Sequence, residues 1–328
     1  MQLITILINN NFQLTIIKMK TIIPSELEHR ERHQLLLSGV APRPIALVTT
    51  QDSNGVVNVS PFSFFNAYSS RPPIVAIGPA ISSISGKAKD TLTNILSTGE
   101  CTISAVTFSM VEQISLASCE YDADINEFDK SGLTPRASSL VRPPYVAESP
   151  FSMECTLHQY IPLYEDQGGN GRILLLEVKL IHVSESVLTN NSIDPRKMDL
   201  AARMGYDWYC RAHGDALFEV KKPRWNGIGV DQLPEYIRSS DFLTGADLAK
   251  LASVKELPVR KTDFPLFPDS LAADSLDIEI QNGRPLGALY VAIYQNNMTT
   301  KTAMRIAQMF LQQHDIESAW QVLLMIEN

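Results

Sequence analysis

Two β-rich runs, Ile45-Ala46-Leu47-Val48-Thr49-Thr50 and Val56-Val57-Asn58-Val59-Ser60, are separated only by a polar link that ends in Asn54-Gly55. Asn-Gly tolerates the positive φ of a tight connection, so the segment is expected to form a hairpin, which commits the chain to antiparallel pairing. Pro61 has no N–H to donate to a ladder, and the second strand is expected to break there. Beyond it, Phe62-Ser63-Phe64-Phe65-Asn66 mixes flat apolar rings with side-chain donors. That mixture suits a ligand with a planar ring at one end and an anionic group at the other. As an ordinary strand end with three core phenylalanines, it would need no ligand at all.

Further β-rich runs occupy residues 74–77 and 101–106, and the clearest hairpin joins residues 153–163 to 172–184 across the glycine-rich link 166–171. That link has no P-loop lysine and opens no helix, and no Gly-x-Gly-x-x-Gly follows a strand, so neither a phosphate loop nor a Rossmann domain is written here. Capping-box spacings at Ser25–Glu28 and Ser109–Glu112 predict helices over 26–37 and from 109 to about 118. Lys89 and Asp90 open a helix that Gly99 ends, with Asp90 or Thr91 near its N-cap. Free amides, a partial positive charge and the Lys89 ammonium make that end suitable for phosphate, while a surface lysine beside a capped helix is the plainer reading. His29 and His33 lie one helical turn apart, but no third metal ligand accompanies them. Residues 120–150 lack periodicity and are rich in acidic residues and proline, an excursion of the length that carries function or covers a site.

The formal charge of −8, from 28 basic and 36 acidic residues, disfavours nucleic acid and anionic membranes as partners. No stretch reaches the roughly 18 apolar residues of a membrane span. Residues 1–18 carry no basic segment ahead of their apolar run, which argues against a secretory signal; with Met19 as an alternative start, residues 1–23 read as an N-terminal extension. Cys101, Cys119, Cys155 and Cys210 include no Cys-x-x-Cys pair, so buried free thiols and a cytoplasmic location are expected.

Taken together, the segments Pro42-Arg43-Pro44-Ile45-Ala46, Asn58-Val59-Ser60-Pro61-Phe62-Ser63-Phe64-Phe65-Asn66, Lys89-Asp90-Thr91 with Asn94-Ile95, Gly132-Leu133-Thr134-Pro135, Val146-Ala147-Glu148-Ser149-Pro150 with Glu154-Cys155, and Ala202-Arg203-Met204-Gly205 resemble the flavin reductase-like proteins of the FMN-binding split-barrel fold, of the flavoredoxin type. The resemblance runs from about Pro24 to Tyr209. It implies a mainly β protein with helices, an antiparallel Greek-key split β-barrel over residues 24–257. A linker rich in proline and a C-terminal α-helical extension over 258–328 lie outside it. Within that extension, residues 277–280 and 288–294 read as short strands, and 300–313 with 316–326 as a helical hairpin.

The resemblance also implies a homodimer with FMN near the interface, ring and ribityl contacts at Thr49, Thr50, Ser60, Phe62, Ser63, Phe64, Phe65 and Asn66, and phosphate contacts at Lys89, Thr91 and Asn94. Pro42 and Arg43 would shape the pocket. NADH or NADPH would be the reductant, and no side chain need act as a catalytic acid or base because the isoalloxazine accepts hydride itself. Glu148 and Glu154 are then structural. The Gly-Asp-His element of the shorter flavin reductases is missing; His213-Gly214-Asp215 has the letters in another order. Three functions therefore stand side by side: an NAD(P)H:flavin oxidoreductase, an electron carrier that exchanges electrons with a protein acceptor, and a non-catalytic binding module acting through the C-terminal extension. The aromatic and basic residues between Tyr206 and Trp225 would line a nicotinamide pocket or a subunit interface.

Overall fold

The computed structural model describes residues 18–79, 88–122, 124–163, 171–220, 222, 226–267 and 273–326. The chain divides into two compact units, residues 21–219 and residues 220–328, the latter grouped with the N-terminal residues up to Lys20. The N-terminal extension, the 166–170 link and the Lys221, Pro223, Arg224 and Trp225 positions lie largely or wholly outside the described residues.

The first unit opens with helix α1 (His29–Gly39) and the short strand β1 (Arg43–Pro44). Strands β2 (Ala46–Gln51), β3 (Val57–Phe62), β4 (Phe65–Ser70) and β5 (Pro73–Ile77) follow, then helix α2 (Asp90–Thr98) and strand β6 (Glu100–Ala105). Helices α3 (Val111–Leu116) and α4 (Glu127–Ser131) and the two-residue strands β7 (Pro135–Arg136) and β8 (Tyr145–Val146) fill the excursion before the long hairpin β9 (Phe151–Leu163) and β10 (Gly171–Val183). The unit ends with β11 (Leu188–Thr189), β12 (Ser192–Ile193), helix α5 (Pro195–Met198), β13 (Leu200–Arg203) and β14 (Tyr209–Ala212).

One antiparallel sheet dominates, in the order β3-β2-β6-β9-β10-β5-β4, and β1-β13-β14 form a smaller one. In the large sheet β3 and β4 are the two edges, yet only Ser63 and Phe64 separate them in the chain. Three peptide steps reach at most about 11 Å, whereas six strand spacings across a flat sheet amount to about 29 Å. The sheet must therefore roll until its edges meet. Those edges are not hydrogen-bonded to each other, so the result is a split barrel and not a closed one.

The hairpin at Asn54-Gly55 forms as expected: Asp52 Oδ1 accepts from the Asn54 and Val56 amides, and Gly55 takes φ +93°. Pro61 does not break the strand. It pairs with Leu47 inside β3, and because β3 is an edge strand its missing N–H costs no ladder bond. Neither early capping box forms. Helix α1 starts at His29 behind Glu28, and Ser109 bonds Thr107 at the head of a 3-10 turn over Phe108–Met110. Helix α2 runs as expected to Gly99, which is left-handed at φ +73°, but its N-cap is Lys89. Inside the barrel, Ala46, Val48, Phe62, Val75, Ile77, Leu92, Ile95, Ile103, Leu174 and Leu176 make one apolar core. A second forms on the other face from Ile45, Leu47, Val59, Val106, Met110, Ile114 and Phe128. Cys101 and Cys155 are paired neighbours on β6 and β9, free and buried; the Cys155 thiol and burial push Cys101 well above the ordinary thiol range, which makes it a poor thiolate.

The second unit is helical, with α6 (Glu235–Arg238), α7 (Gly245–Leu251), α8 (Leu276–Gln281), α9 (Pro285–Tyr294), α10 (Thr300–Gln312) and α11 (Ile316–Leu323). The segments read as strands, 277–280 and 288–294, are α8 and α9. Pro285 sits at the first position of α9, where a missing N–H is harmless, and Ala288, Leu289, Val291 and Ala292 are buried at helical spacing. Thr244 and Asp247 cap α7 reciprocally. The 257/258 boundary read from the prolines falls inside this unit: Leu233, Ile237, Leu243 and Leu251 share one apolar core with Ile306, Phe310, Trp320 and Leu323, and the Trp320 indole donates to the Leu251 carbonyl at 3.0 Å. Burying each such leucine or isoleucine stabilises by about 1.5–3 kcal/mol. A chain ended at 219 is therefore expected to unfold cooperatively and stay monodisperse, whereas one ended at 257 strands half of a core and should aggregate; size-exclusion chromatography and thermal melts of the two distinguish them.

Candidate functional site

Side chains of a strand alternate between faces, so the hairpin sorts its polar residues into two sets. Thr50, Asn58, Ser60 and Phe62 share the face covered by α2. Thr49 points the other way, and its buried Oγ1 has no hydrogen-bond partner among the described residues. Asn94, on α2, donates through Nδ2 to Thr50 Oγ1 at 3.1 Å. Thr91, also on α2, is 1% exposed and its Oγ1 lies 2.9 Å from Asn58 Oδ1. Lys89 at the helix entrance reaches Glu120 at 3.2 Å.

The polarity of this chain of bonds is fixed by Glu127, a residue that nothing in its local sequence singles out. Its carboxylate accepts from Asn58 Nδ2 at 2.7 Å and from the Val59 amide at 3.1 Å. A carboxylate only accepts, so the Asn58 amide must turn its nitrogen to Glu127 and its oxygen to Thr91, and the Thr91 hydroxyl must be the donor. That proton is committed. Thr91 can therefore offer a phosphate its backbone N–H, one of the first amides of α2 that have no intrahelical acceptor, but not its hydroxyl. Burial, foremost, raises the Glu127 carboxyl above its ordinary range, with Asp90 adding to it against the hydrogen bonds it accepts.

The other predicted residues stand at a cleft of about 490 Å³ where the sheet edges meet. Ser63, Phe64, Phe65 and Asn66 line it, with Pro42, Arg43, His33 and Arg172. Thr49, Thr50, Ser60, Phe62, Lys89, Thr91 and Asn94 do not, so the set expected to hold one ligand falls into two groups: the α2 end of the β2–β3 hairpin and the barrel's open seam. Phe62 belongs to the barrel core. Arg43 is 6% exposed; its Nη1 donates to the Leu37 and Val40 carbonyls, its Nη2 to the Met204 carbonyl at 2.9 Å and its Nε to Ser63 Oγ at 3.3 Å. It thereby ties the end of α1 and the end of β13 to the closing dipeptide. Burial lowers the His33 pKa, with His29 and Arg43 adding to it. Gly78 lines the cleft because nothing larger fits: a Cβ there would lie 2.9 Å from Phe64 Cβ and 3.3 Å from the Arg172 carbonyl.

Of the aromatic and basic stretch, Tyr206 and Trp208 are exposed, Arg211 pairs with Asp199 at 2.6 Å over the Phe108 ring, and none of them lines the cleft. Glu148 accepts from the Thr134 amide and Glu154 from the amides of Ser139, Leu140 and Val141. Among the described residues no group of three metal-ligating side chains occurs.

An open antiparallel barrel with an aromatic cleft at its seam and a helix N-terminus against its first hairpin defines a small-molecule-binding β-barrel protein. The chain belongs to the flavin reductase-like family, whose domain matches residues 38–198, wholly within the barrel unit. An uncharacterized protein of Aquifex aeolicus is 33% identical over 193 residues, 57% of this chain and 93% of its own length. Among solved structures, nitrilotriacetate monooxygenase component B from Bacillus cereus is 28% identical with a TM-score of 0.58, covering 62% of this chain and 99% of that one. A protein of Shewanella frigidimarina described as a flavin reductase with a split barrel domain is 29% identical with a TM-score of 0.52, covering 61% and 96%.

Two substitutions test the geometry. Glu127→Leu strands the Asn58 and Val59 donors in the interior and should destabilise the barrel by about 2–5 kcal/mol, whereas Thr91→Val removes one donor and should cost only about 1 kcal/mol; urea unfolding monitored by circular dichroism measures both. Because the folded state holds the Glu127 proton more tightly than the unfolded chain, its contribution is greatest in acid and falls as pH rises through the raised value. Glu127→Gln should flatten that decline.

Proposed function

We propose that the chain is an FMN-binding oxidoreductase that takes hydride from NADH or NADPH onto bound flavin and passes the electrons to a small acceptor or a partner protein. The observation that carries this reading is the pairing, within a flavin reductase-like domain, of an aromatic seam cleft with a helix N-terminus against the β2–β3 hairpin. Bound FMN would supply the hydride-accepting ring, so the protein's work is to bind, orient and shield it. The Asp90 and Thr91 amides and the Lys89 ammonium are suited to the phosphate, provided Lys89 exchanges its half-exposed Glu120 partner for it. Thr50 keeps its own proton to donate, since its oxygen already accepts from Asn94. Ser60 and Ser63–Asn66 extend from that end toward the seam. The Thr49 hydroxyl is buried on the opposite face and its backbone lies in the ladders with β3 and β6, so the ribityl contacts of this proposal rest on Thr50 and Ser60.

A homodimer fits the same reading. Helix α1 buries none of its residues, and Leu36, Val40, Phe64 and Tyr68 are all exposed around the seam, which suits cover by a second copy. The electron-carrier alternative draws on the missing Gly-Asp-His element. Among the described residues no helix is long and apolar enough to cross a membrane. The free, buried Cys101 and Cys155 suit a reducing cytoplasm, the location we propose.

The deciding experiment is the visible spectrum of protein reconstituted with FMN, followed anaerobically by NADH and then NADPH. A flavin spectrum that bleaches promptly is expected; a flavin that binds without bleaching selects the carrier, and no bound flavin refutes the proposal. Lys89→Ala is expected to weaken FMN by about tenfold, the worth of one charge-assisted contact, read by quenching of flavin fluorescence. Gly78→Ala, which displaces Phe64, should slow bleaching while leaving the phosphate end unaffected.

A further inference from the structure

The Glu127 carboxyl is 5% exposed and is held by two donors of the edge strand, Asn58 Nδ2 at 2.7 Å on Oε1 and the Val59 amide at 3.1 Å on Oε2. On its other side Asn58 accepts from Thr91, the second residue of α2, at 2.9 Å. The oxygen and nitrogen of an asparagine amide have nearly the same shape, so a half-turn of the Asn58 amide exchanges them without disturbing the packing. An ionised Glu127 forbids the half-turn, because a carboxylate cannot donate. A neutral Glu127 permits it: the acid O–H donates to Asn58 Oδ1, Asn58 Nδ2 donates to Thr91 Oγ1, and Oε2 still accepts from Val59. Burial, foremost, already favours the neutral acid, and the negative charge of Asp90 on α2 adds to it. Other charged groups stand around this carboxyl among the described residues. Tyr121, ahead of α4, has the Lys130 ammonium 5.9 Å from its ring centre, and burial, Cys119 and Glu127 push its phenol up. Lys89 pairs with Glu120, while Glu112 on α3, Asp122, Asp124 and Asp129 are exposed.

We propose that Glu127, Asn58 and Thr91 form a reversible hydrogen-bond relay: a proton taken from solvent onto Glu127 turns the Asn58 amide over and releases the Thr91 hydroxyl to donate to a phosphate at the α2 N-terminus. The proposal rests on the flavin reading above, in which that phosphate belongs to FMN. Glu127 touches neither ring nor phosphate and acts as a positioning residue. The coupling runs in both directions. Two hydrogen bonds and one amide separate the carboxyl from Thr91, and an interior path of that kind is little screened by salt. Phosphate bound beside Thr91 therefore raises the Glu127 pKa further, so binding draws a proton in. FMN affinity is then full below the pKa of the free protein and is lost as pH rises through that of the complex.

Calorimetric titration of FMN into the flavin-free, full-length protein, in pairs of buffers with different ionisation enthalpies, counts the protons exchanged. The native protein is expected to take up a proton that Glu127→Gln does not, and riboflavin, which lacks the phosphate, is expected to draw in none. Glu127→Gln fixes the reversed orientation, its oxygen on the Val59 amide and its Nε2 on Asn58 Oδ1. In mildly alkaline solution it should bind FMN at least about fivefold more tightly than the native protein, the low end of ordinary coupling between sites; in acid the two should agree. Thr91→Val should weaken FMN about tenfold in acid, the worth of one charge-assisted bond, and leave the alkaline affinity unchanged. Equal proton uptake by the native protein and Glu127→Gln overturns the proposal, as does a Thr91→Val loss that is the same at every pH. If no FMN binds, the flavin reading falls and the relay is judged alone by NMR of the flavin-free protein. The Asn58 side-chain amide and the Val59 amide should then shift together at a pH above the ordinary carboxylate range, a transition that Glu127→Gln removes. Signals that stay still across that range refute the relay.

Discussion

Two residues join the opposite edges of a seven-stranded sheet, and the architecture of the first unit follows from that short tether. Ser63 and Phe64 cannot span a flat sheet, so the strands must curl, and curling places the apolar faces of β2, β5, β6, β9 and β10 around one core. Closure stops short of hydrogen-bonding the edges to each other. The seam left open there carries Phe65 and Asn66 on one side and receives the Arg43 fork from the other. Binding groups thus project from strands held by their neighbours, which positions them more tightly than a free loop would.

The excursion that sequence periodicity leaves blank is ordered by two buried carboxylates. Glu127 reaches back from α4 to Asn58 and Val59, and Asn58 passes the connection to Thr91, so α4, β3 and α2 are pinned by one hydrogen-bonded chain. Glu154, with no exposed surface, gathers the amides of Ser139, Leu140 and Val141 and the His182 imidazole, which stacks on Tyr145 at 4.3 Å between ring centres. Burial pushes the Glu154 carboxyl up, but the Ser139 amide, His182 and the other two amides outweigh it and hold it below its ordinary range. Irregular backbone needs such acceptors, because its own amides have no ladder to join. In the interior these networks are rigid while complete and costly when a member is lost.

How far the sequence could be read follows from the range of the interactions involved. The Asn54-Gly55 hairpin, the β9–β10 pair and the α2 helix with its glycine stop depend on neighbours a few residues away, and they stand where spacing places them. Pro61 was deceptive because whether a proline ends a strand depends on that strand being internal, and edge status belongs to the assembled sheet. Strand β4 was hidden for a related reason: its partner β5 covers only one flank, and the residues Asn66–Ser70 remain exposed, with no apolar face to mark them as a strand. Residues 288–294 are apolar all along, a composition that strand and buried helix share; only packing against α10 decides. At the site, the residue types of the Ser60–Asn66 motif were legible, but its division between the α2 end and the seam was not, since strand alternation separates Thr49 from Thr50 and closure carries Ser63–Asn66 away from Lys89. Glu127 lies 69 residues from its partner Asn58, and no local pattern announces such a pairing.

The register Leu174↔Ile77 joins residues 97 positions apart. On a ribosome that adds roughly 5–20 residues per second, the β4–β5 hairpin would wait on the order of 5–20 s for the strand that completes it. Throughout that interval Ile74, Val75 and Ile77 have no β10 beside them, and the pairing edge of β5 is open to any other extended chain. The long separation in sequence between β5 and the strand that completes it thus sets the period during which the nascent chain most depends on not meeting another of its kind.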